Sequence, residues 1–277
     1  MSVRQFTIGM LLALIAVGPA RAADLADRPY TKPPAMVEPA FSWSGFYIGG
    51  HAGAGFLRNA AAAVDPADGL TATHFGMNLT NGFFPRSYSA NGSGFMGGAQ
   101  LGYNWQTRNY VYGLETDFSI PSAKAHQEID TAVPGLAPSV GTFDTKILWF
   151  GTTRARLGVL VDPRLLACAT GGVAYGSVRR QFSFGFPIVG PIEQTFADHT
   201  NMDWGWTAGT GIEWAVADHV TIRGEYQFVR LQGNSSPTNS AAGFCNFSPA
   251  LACNFNVNGQ SIDNHSITIG INYMFGR

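Results

Sequence analysis

Apolar and polar residues alternate with a period of two along eight separate stretches of the chain. In the last stretch, residues 266–275, every second side chain is isoleucine, tyrosine or phenylalanine, and those between are mostly small or polar. Such alternation is typical of a β-strand with one apolar and one polar face. The eight stretches are residues 46–56, 95–105, 110–118, 147–159, 165–175, 204–216, 220–228 and 266–275. A tilted strand that crosses a bilayer needs about 9–11 residues, so the pattern predicts eight membrane-spanning strands.

The connections between these stretches alternate in length. Those at 106–109, 161–164 and 217–219 are short, whereas 57–94, 119–144, 185–202 and 233–264 are long and rich in Gly, Pro, Asn and Ser. Outer-membrane barrels alternate short periplasmic turns with long extracellular loops in this way. Residues 44–277 are therefore predicted to be all-β, an eight-stranded antiparallel up-and-down transmembrane β-barrel. An even number of strands leaves both termini on the periplasmic side.

Composition agrees with a membrane-embedded surface. Only 13% of the residues are charged, against about 25% in soluble domains. A soluble lipocalin-like barrel is the alternative fold, but it would turn its apolar side chains inward. The net charge is −1, so the chain lacks the excess of positive charge that is typical of nucleic-acid-binding proteins. No nucleic-acid partner is expected.

The N-terminal residues predict export. Arg4 precedes an apolar run from Phe6 to Val17, and Ala20 and Ala22 fit a small-residue cleavage site. Residues 1–22 are interpreted as a signal peptide. Residues 23–43 contain four prolines and are interpreted as an extended periplasmic linker.

Charged residues within the strands share the face opposite the apolar stripe. Buried charges must pair, and eight strands leave a lumen only wide enough for side chains. We therefore expect these charges to cross-pair and fill the barrel interior; an ion-selective pore is the alternative. The residues are Glu115, Asp117, Arg154, Arg156, Glu213, Arg223 and Glu225.

No motif makes a strong case for catalysis, and the protein is predicted not to be an enzyme. Residues 92–97 fit G-x-G-x-x-G, but a dinucleotide site needs a helix after that motif, and here the alternation continues as a strand. His51 is the only histidine that is expected to lie on a strand and to point into the lumen, and no hydrolase signature accompanies it. Histidines in or beside the long loops could converge on a metal or haem at one rim of the barrel. Their spacing in the sequence does not indicate such a site, and single histidines in loops are usually solvated, so no cofactor or metal is predicted. They are His74, His126, His199 and His265.

The chain has three cysteines. Because exported proteins meet an oxidising compartment, the close pair Cys245 and Cys253 is predicted to form a disulfide in the last loop. Cys168 is expected to remain free.

Two segments resemble a known family. Phe41-Ser42-Trp43-Ser44-Gly45-Phe46-Tyr47-Ile48-Gly49-Gly50 is similar to the opening strand of the small porin-like outer-membrane β-barrel proteins of alphaproteobacteria, which include immunodominant surface antigens. The last strand resembles the signal read by the barrel-assembly machinery, which implies that role for Gly270, Tyr273 and Phe275.

The resemblance implies a structural surface protein, embedded in outer-membrane lipid and lipopolysaccharide, that contributes to envelope integrity. A small-solute porin and a loop-borne receptor or adhesin remain alternatives. The sequence does not identify an extracellular ligand.

Overall fold

A computed structural model describes residues 41–66, 69, 72, 87–131, 139–185, 193–233, 235–242 and 252–275. All of them belong to the unit Ala40–Arg277. Within these ranges the chain forms eleven strands. They are β1 (Gly45–Pro66), β2 (Ser87–Thr107), β3 (Tyr110–Pro121), β4 (Lys124–Thr131), β5 (Ser139–Asp162), β6 (Leu165–Gly185), β7 (Glu193–Ala217), β8 (Val220–Gln232), β9 (Ser235–Ala242), β10 (Ala252–Gly259) and β11 (Ile262–Phe275).

Eight of these strands close into a ring, in the order β1, β2, β3, β5, β6, β7, β8 and β11. The ring is completed where β11 pairs antiparallel with β1, from Phe46↔Phe275 to Arg58↔Asp263. Closure gives every strand of the ring a partner on both sides, so no unpaired edge is left. The predicted eight-stranded antiparallel up-and-down barrel is thus confirmed.

Two-residue turns mark one end of the ring, at 108–109, 163–164 and 218–219. We call this the turn end, and the opposite end the loop end. Arg108 in the first turn has a φ of 55°, a left-handed conformation of the kind that tight turns use. Among the described residues, no helix has both the length and the hydropathy needed to cross a membrane.

The strands continue well beyond the stretches that the alternation predicts. β1 runs to Pro66 and β2 begins at Ser87, so much of the predicted loop 57–94 is a hairpin. Similarly, β4 pairs with β5 inside the predicted loop 119–144, and β9 and β10 form a hairpin on β1 inside 233–264. The long connections between the predicted strands therefore contain β-hairpins, whose backbone groups pair with one another as they do in the ring.

Asn59 marks the place where β1 leaves the regular ring. The register with β2 shifts between Leu57 and Ala60, and Asn59 there has a φ of 53°. Asparagine tolerates this left-handed conformation better than most residues. The irregularity lets β1 continue into the extension that carries β9 and β10.

The outward face of the ring is apolar, as predicted. Ile269 and Leu157 are each 67% exposed, although isoleucine and leucine are normally buried in water-soluble proteins. Aromatic rings contact one another in two layers, one toward each end. Phe46, Tyr103, Trp105, Tyr112, Tyr273 and Phe275 form the turn-end layer, and Phe118, Trp149, Tyr175, Trp204, Trp206 and Phe228 form the loop-end layer.

Candidate functional site

The barrel interior is polar at its centre, where Glu115 is 1% exposed. Glu115 lies on β3, whose residues alternate between exposed and buried, so its side chain points into the lumen. It accepts hydrogen bonds from Tyr47 Oη at 2.5 Å and Arg154 Nη2 at 2.5 Å, and from both terminal nitrogens of Arg223. The donors come from β1, β5 and β8, so one carboxylate ties together four strands of the ring.

Arg154 connects Glu115 to two further carboxylates. Its Nη2 lies 3.0 Å from Asp117 Oδ2, and its Nη1 lies 2.6 Å from Glu225 Oε1. Arg223 also pairs with Glu225, and the Thr152 hydroxyl donates to Asp117. Hydrogen bonds between ionised groups are about twice as strong as neutral ones, so this cluster holds its side chains in fixed positions.

A second part of the network lies around Glu213 on β7. Arg156 pairs with it, and the Thr221 hydroxyl and Asn272 Nδ2 donate to it, the latter at 2.8 Å. Asn272 Oδ1 in turn accepts from Gln100 Nε2 at 2.6 Å. With Thr170 of β6, which accepts from Arg154, the network draws side chains from every strand of the ring.

The structure thus brings together all seven charged residues that the sequence singled out. Each is at most 8% exposed. They contribute four negative and three positive charges. Every one of them makes at least one ion pair with another member.

His51 continues the network toward the loop end. Its Nδ1 forms a hydrogen bond with Gln100 Oε1 at 2.9 Å, and its Nε2 forms one with Ser119 Oγ at 2.9 Å. This order of hydroxyl, imidazole and amide resembles a nucleophile, base and orienting group. However, Ser119 is fully buried and Gln100 is 3% exposed, so the hydroxyl has no surface from which a substrate could approach it.

Gly98 makes room for the His51 ring. A Cβ at Gly98 would lie 2.8 Å from His51 Nε2, closer than real side chains approach one another. The glycine-rich segment 92–97 just before it lies wholly within β2. This confirms that the G-x-G-x-x-G match is part of a strand.

An apolar cluster fills the turn end of the interior. Trp43 is fully buried there, its backbone nitrogen donates to Gln106 Oε1 at 2.8 Å, and its Nε1 donates to Pro163 O at 3.2 Å. The chain just before β1 therefore packs into the mouth of the barrel. The cluster comprises Phe41, Trp43, Tyr47, Val111, Leu166, Ala215 and Met274.

A second apolar cluster fills the interior toward the loop end. An ion pair between Arg180 and Asp203, at 2.7 Å, is also buried in the interior. Together with the turn-end cluster, these side chains enclose the charged network. The cluster comprises Leu57, Ala60, Ala90, Met96, Ala123, Ala125, Ile147, Phe150, Ala174, Val178, Val229, Leu231 and Ile262.

The cysteines and the assembly-signal residues lie elsewhere. Cys245 and the side chain of Cys253 fall outside the described residues, so the disulfide stays a prediction. Cys168 is free and buried, 3.5 Å from Arg156 Nη2. Gly270 faces the lumen near His51, while Tyr273 and Phe275 lie in the turn-end aromatic layer.

His126 and His265, the two histidines near the loops whose side chains are described, have separate partners. His126 Nδ1 lies 2.7 Å from Asp144 Oδ1, and the Tyr226 hydroxyl lies 2.7 Å from His265 Nδ1. His74 and the side chain of His199 lie outside the described part of the chain. Within that part, no group of three or more His, Cys, Asp or Glu residues is arranged to hold a metal ion.

Sequence reasoning missed the uncharged members of the network. Tyr47, Gln100 and Asn272 each lie on the lumen-facing parity of their strand, beside residues already assigned to the lumen. This alternation was the signal from which their position in the lumen could have been predicted. The buried Arg180–Asp203 pair gave no such signal, because its strands extend beyond the stretches where the alternation is regular.

Comparisons with known proteins agree with this architecture. A family model described as "outer membrane protein beta-barrel domain" matches residues 10–275. The 31 kDa outer-membrane immunogenic protein of Brucella melitensis is 32% identical over 275 residues, which cover 98% of this chain and all of that protein. The 22 kDa outer membrane protein of Rhizobium leguminosarum is 28% identical over 208 residues, covering 75% of this chain and 74% of that one.

Among solved structures, the outer membrane protein OprG from Pseudomonas aeruginosa aligns with a TM-score of 0.45 and 10% identity, over 84% of this chain and 97% of OprG. Neisserial surface protein A aligns with a TM-score of 0.38 and 13% identity, over 84% of this chain and 98% of that protein.

Proposed function

The chain belongs to the outer membrane protein beta-barrel family, and from this premise we propose that it is a structural surface protein with a closed lumen. It is an outer-membrane β-barrel of the immunogenic surface type. In this proposal, the barrel contributes to envelope integrity and presents its strand extensions to the exterior. The loop end faces outward and both termini lie in the periplasm.

The observation that carries the proposal is the filled interior. The charged network around Glu115 lies between two apolar clusters, one of which contains the fully buried Trp43. An aqueous pore needs a continuous polar path, and each apolar cluster interrupts such a path. The arginines of the network are held by carboxylates, so they are not available to attract passing ions.

Conductance in planar bilayers tests the closed lumen. We expect the unmodified protein to give no large, steady openings. The double variant Arg154→Ala with Arg156→Ala leaves Asp117 and Glu213 without their arginine partners, and we expect its conductance to rise as its stability falls. Asp144→Asn is a matched control, because this side chain lies outside the network.

Large, steady openings from the unmodified protein would contradict the closed lumen and favour a small-solute porin. A double variant that conducts no better than the control would show that the charged network does not limit passage.

Orientation is tested separately by epitope insertion. An epitope between β4 and β5, at residues 132–138, should bind antibody on intact cells, whereas one in the 108–109 turn should bind only after the outer membrane is permeabilised. The reverse pattern would overturn the proposed orientation.

The envelope role is tested with a strain that lacks the protein. Increased detergent sensitivity of that strain would support the envelope role, and unchanged sensitivity would contradict it.

We also infer that the protein is not a hydrolase. The Ser119–His51–Gln100 arrangement is enclosed by the ring, and its hydrogen bonds join β1, β2 and β3. A structural role accounts for it. Measurable ester hydrolysis that is lost in Ser119→Ala would contradict this inference.

A further inference from the structure

The four residues before β1 lie across the turn end of the barrel. Phe41 and Trp43 are buried, at 5% and 0% exposure, whereas Ser42 between them is exposed. The two aromatic rings pack edge to face, with their centroids 4.9 Å apart. Both rings therefore point into the mouth of the ring of strands. We call residues 41–44 the strap.

Hydrogen bonds hold the strap at two places on the rim. Beside β1, the Trp43 backbone nitrogen donates to Gln106 Oε1 at 2.8 Å, and the Gln106 backbone nitrogen donates to Ser44 Oγ at 2.8 Å. Farther around the rim, Trp43 Nε1 donates to Pro163 O at 3.2 Å. Pro163 lies between β5 and β6, which are three and four strands around the ring from β1. The strap therefore reaches across the mouth.

The strap is not part of the sheet that forms the ring. β1 begins at Gly45, and its register with β2 begins at Gly45 and its register with β11 at Phe46. Lifting the strap out of the mouth breaks its hydrogen bonds with Gln106 and Pro163 but no pairing between strands. Segments with few such ties open locally at a lower free energy than the whole fold.

Gly45 provides a hinge between the strap and β1. Its φ is 137°, a value that residues with a Cβ rarely adopt. A glycine there lets the chain turn sharply from the mouth into β1, and it also permits many other backbone angles. The strap can therefore swing away from the mouth while Phe46 keeps its pairing with Tyr103 and Phe275.

A free thiol lies behind the apolar cluster to which the strap belongs. Trp43 is in the same cluster as Leu166, and Cys168 follows Leu166 by two residues, on the same face of β6. Cys168 is 7% exposed, and its Sγ lies 3.5 Å from Arg156 Nη2. It therefore lies between the apolar cluster and the charged network. Its reactivity reports whether the mouth is open.

We propose that the strap is a hinged closure of the turn-end mouth, which opens and closes while the ring of eight strands stays folded. The proposal rests on the closed lumen given under Proposed function and deepens it. The turn end is closed by a movable segment, and the charged network behind it blocks the lumen whether the strap is in place or not. In the orientation proposed there, opening gives periplasmic molecules access to the mouth but not passage through the barrel.

The labelling rate of Cys168 tests the proposal. Cys245→Ser with Cys253→Ser leaves Cys168 as the only thiol, and this protein, folded in detergent, is treated with a small methanethiosulfonate reagent and followed by intact mass. We expect slow labelling that depends only weakly on urea while the ring stays folded, because opening the strap exposes little surface. A rate that rises with urea as steeply as unfolding of the ring would overturn the proposal.

Two changes in the strap should speed the labelling. Trp43→Ala removes the side chain that spans the mouth, and Gly45→Ala places a Cβ at a hinge angle that disfavours one. We expect labelling of Cys168 about a hundredfold faster in Trp43→Ala and about tenfold faster in Gly45→Ala. Trp105→Ala is the matched control, because it removes the same side chain from the outward turn-end layer, where Trp105 is 42% exposed. Its rate should not change.

Heat-modifiable gel migration shows whether each variant has folded. A folded Trp43→Ala that labels no faster than Trp105→Ala would overturn the strap as the closure. Loss of the folded form in both Trp43→Ala and Gly45→Ala would overturn it too, because the strap would then be needed for the fold and could not move separately. Failure of the closed lumen would appear instead as large openings of the unmodified protein in bilayers, a measurement that does not involve Cys168.

Discussion

At the scale of single residues, Glu115 links separate parts of the barrel through one carboxylate. Its partners Tyr47, Arg154 and Arg223 come from three different strands. A buried ion pair adds little when compared with apolar residues of the same shape, but removing one partner is costly because the other charge stays buried. The network therefore makes the barrel sensitive to the loss of any one charge.

Neutralising Glu115 should destabilise the barrel. In Glu115→Gln the side chain keeps its shape, but Arg154 and Arg223 lose a shared negative charge. We expect the free energy of unfolding to fall by about 3 kcal/mol, measured by urea unfolding in lipid vesicles. Leu114→Val, at the preceding position and 56% exposed on the outward face, is the control, and an equal effect of both changes would contradict a special role for the network.

Asp263 gives a residue-scale prediction about pH. Hydrogen bonds from Arg230 lower the pKa of Asp263 below its ordinary value, against the opposing effect of partial burial. Both residues lie outside the predicted membrane-spanning stretches, residues 220–228 and 266–275. Because the folded-state pKa is lower than the unfolded one, this pairing stabilises the fold above the unfolded-state pKa of about 3.9 and is lost as the pH falls through the folded-state value.

The carboxyl chemical shift of Asp263 should therefore titrate below pH 3.9 or so in the unmodified protein. In Arg230→Gln its midpoint should move up toward the ordinary value, whereas Arg58→Gln should move it less. A midpoint that does not change in Arg230→Gln would show that the pair does not form in solution.

At the scale of strands, the two faces of β11 predict that an arginine substitution destabilises the barrel for a different reason on each face. Ile269 is 67% exposed on the apolar band, and Thr268 is 7% exposed in the lumen. Ile269→Arg should cost about 2–4 kcal/mol, since it places a cation in the bilayer. Thr268→Arg should cost about 1–3 kcal/mol by overpacking, because the interior around it is filled.

Folding yield in vesicles of different thickness separates the two effects. Thinner bilayers should relieve the defect of Ile269→Arg but leave that of Thr268→Arg unchanged, with Ile269→Val as the neutral control. The same response of both variants to bilayer thickness would show that the assigned faces are wrong.

The same strand shows why part of the fold could be predicted. Between Ile267 and Phe275 one face meets apolar surroundings and the other meets the network, so the sequence alternates regularly. Beyond Phe56 on β1 this constraint ends, and Asn59 and Ala61 carry no alternation that distinguishes a hairpin from a loop. The seven charges were recognisable from their parity, but their individual partners depend on strand stagger, which the alternation does not encode.

At the scale of the whole molecule, β9 and β10 are paired strands outside the ring of eight. β10 pairs with residues Ala62 to Pro66 of β1, beyond the part of β1 that pairs with β11, and β9 pairs with β10. These strands add no member to the ring. The barrel should therefore fold without them.

Replacing residues 235–259 by a short Gly-Asn turn should leave the outer-membrane yield and heat-modifiable migration unchanged. Deleting Ile222 alone is the contrasting change, because a shift of one residue in β8 moves its side chains to the opposite face. We expect that variant to fail to fold. Loss of the folded form on removing residues 235–259 would show that the extension is needed to close the ring.

The pairing of β1 with β11 also has a consequence for the order of events during biogenesis. The two strands that complete the ring come from opposite ends of the barrel sequence, more than about 200 residues apart. Contacts of such long sequence separation form slowly, and until they form, two strands rich in glycine present unpaired edges that can join other chains. The barrel cannot be sealed while its C-terminal strand is still being translocated, so the chain must be kept from aggregating in the periplasm until the last residues arrive.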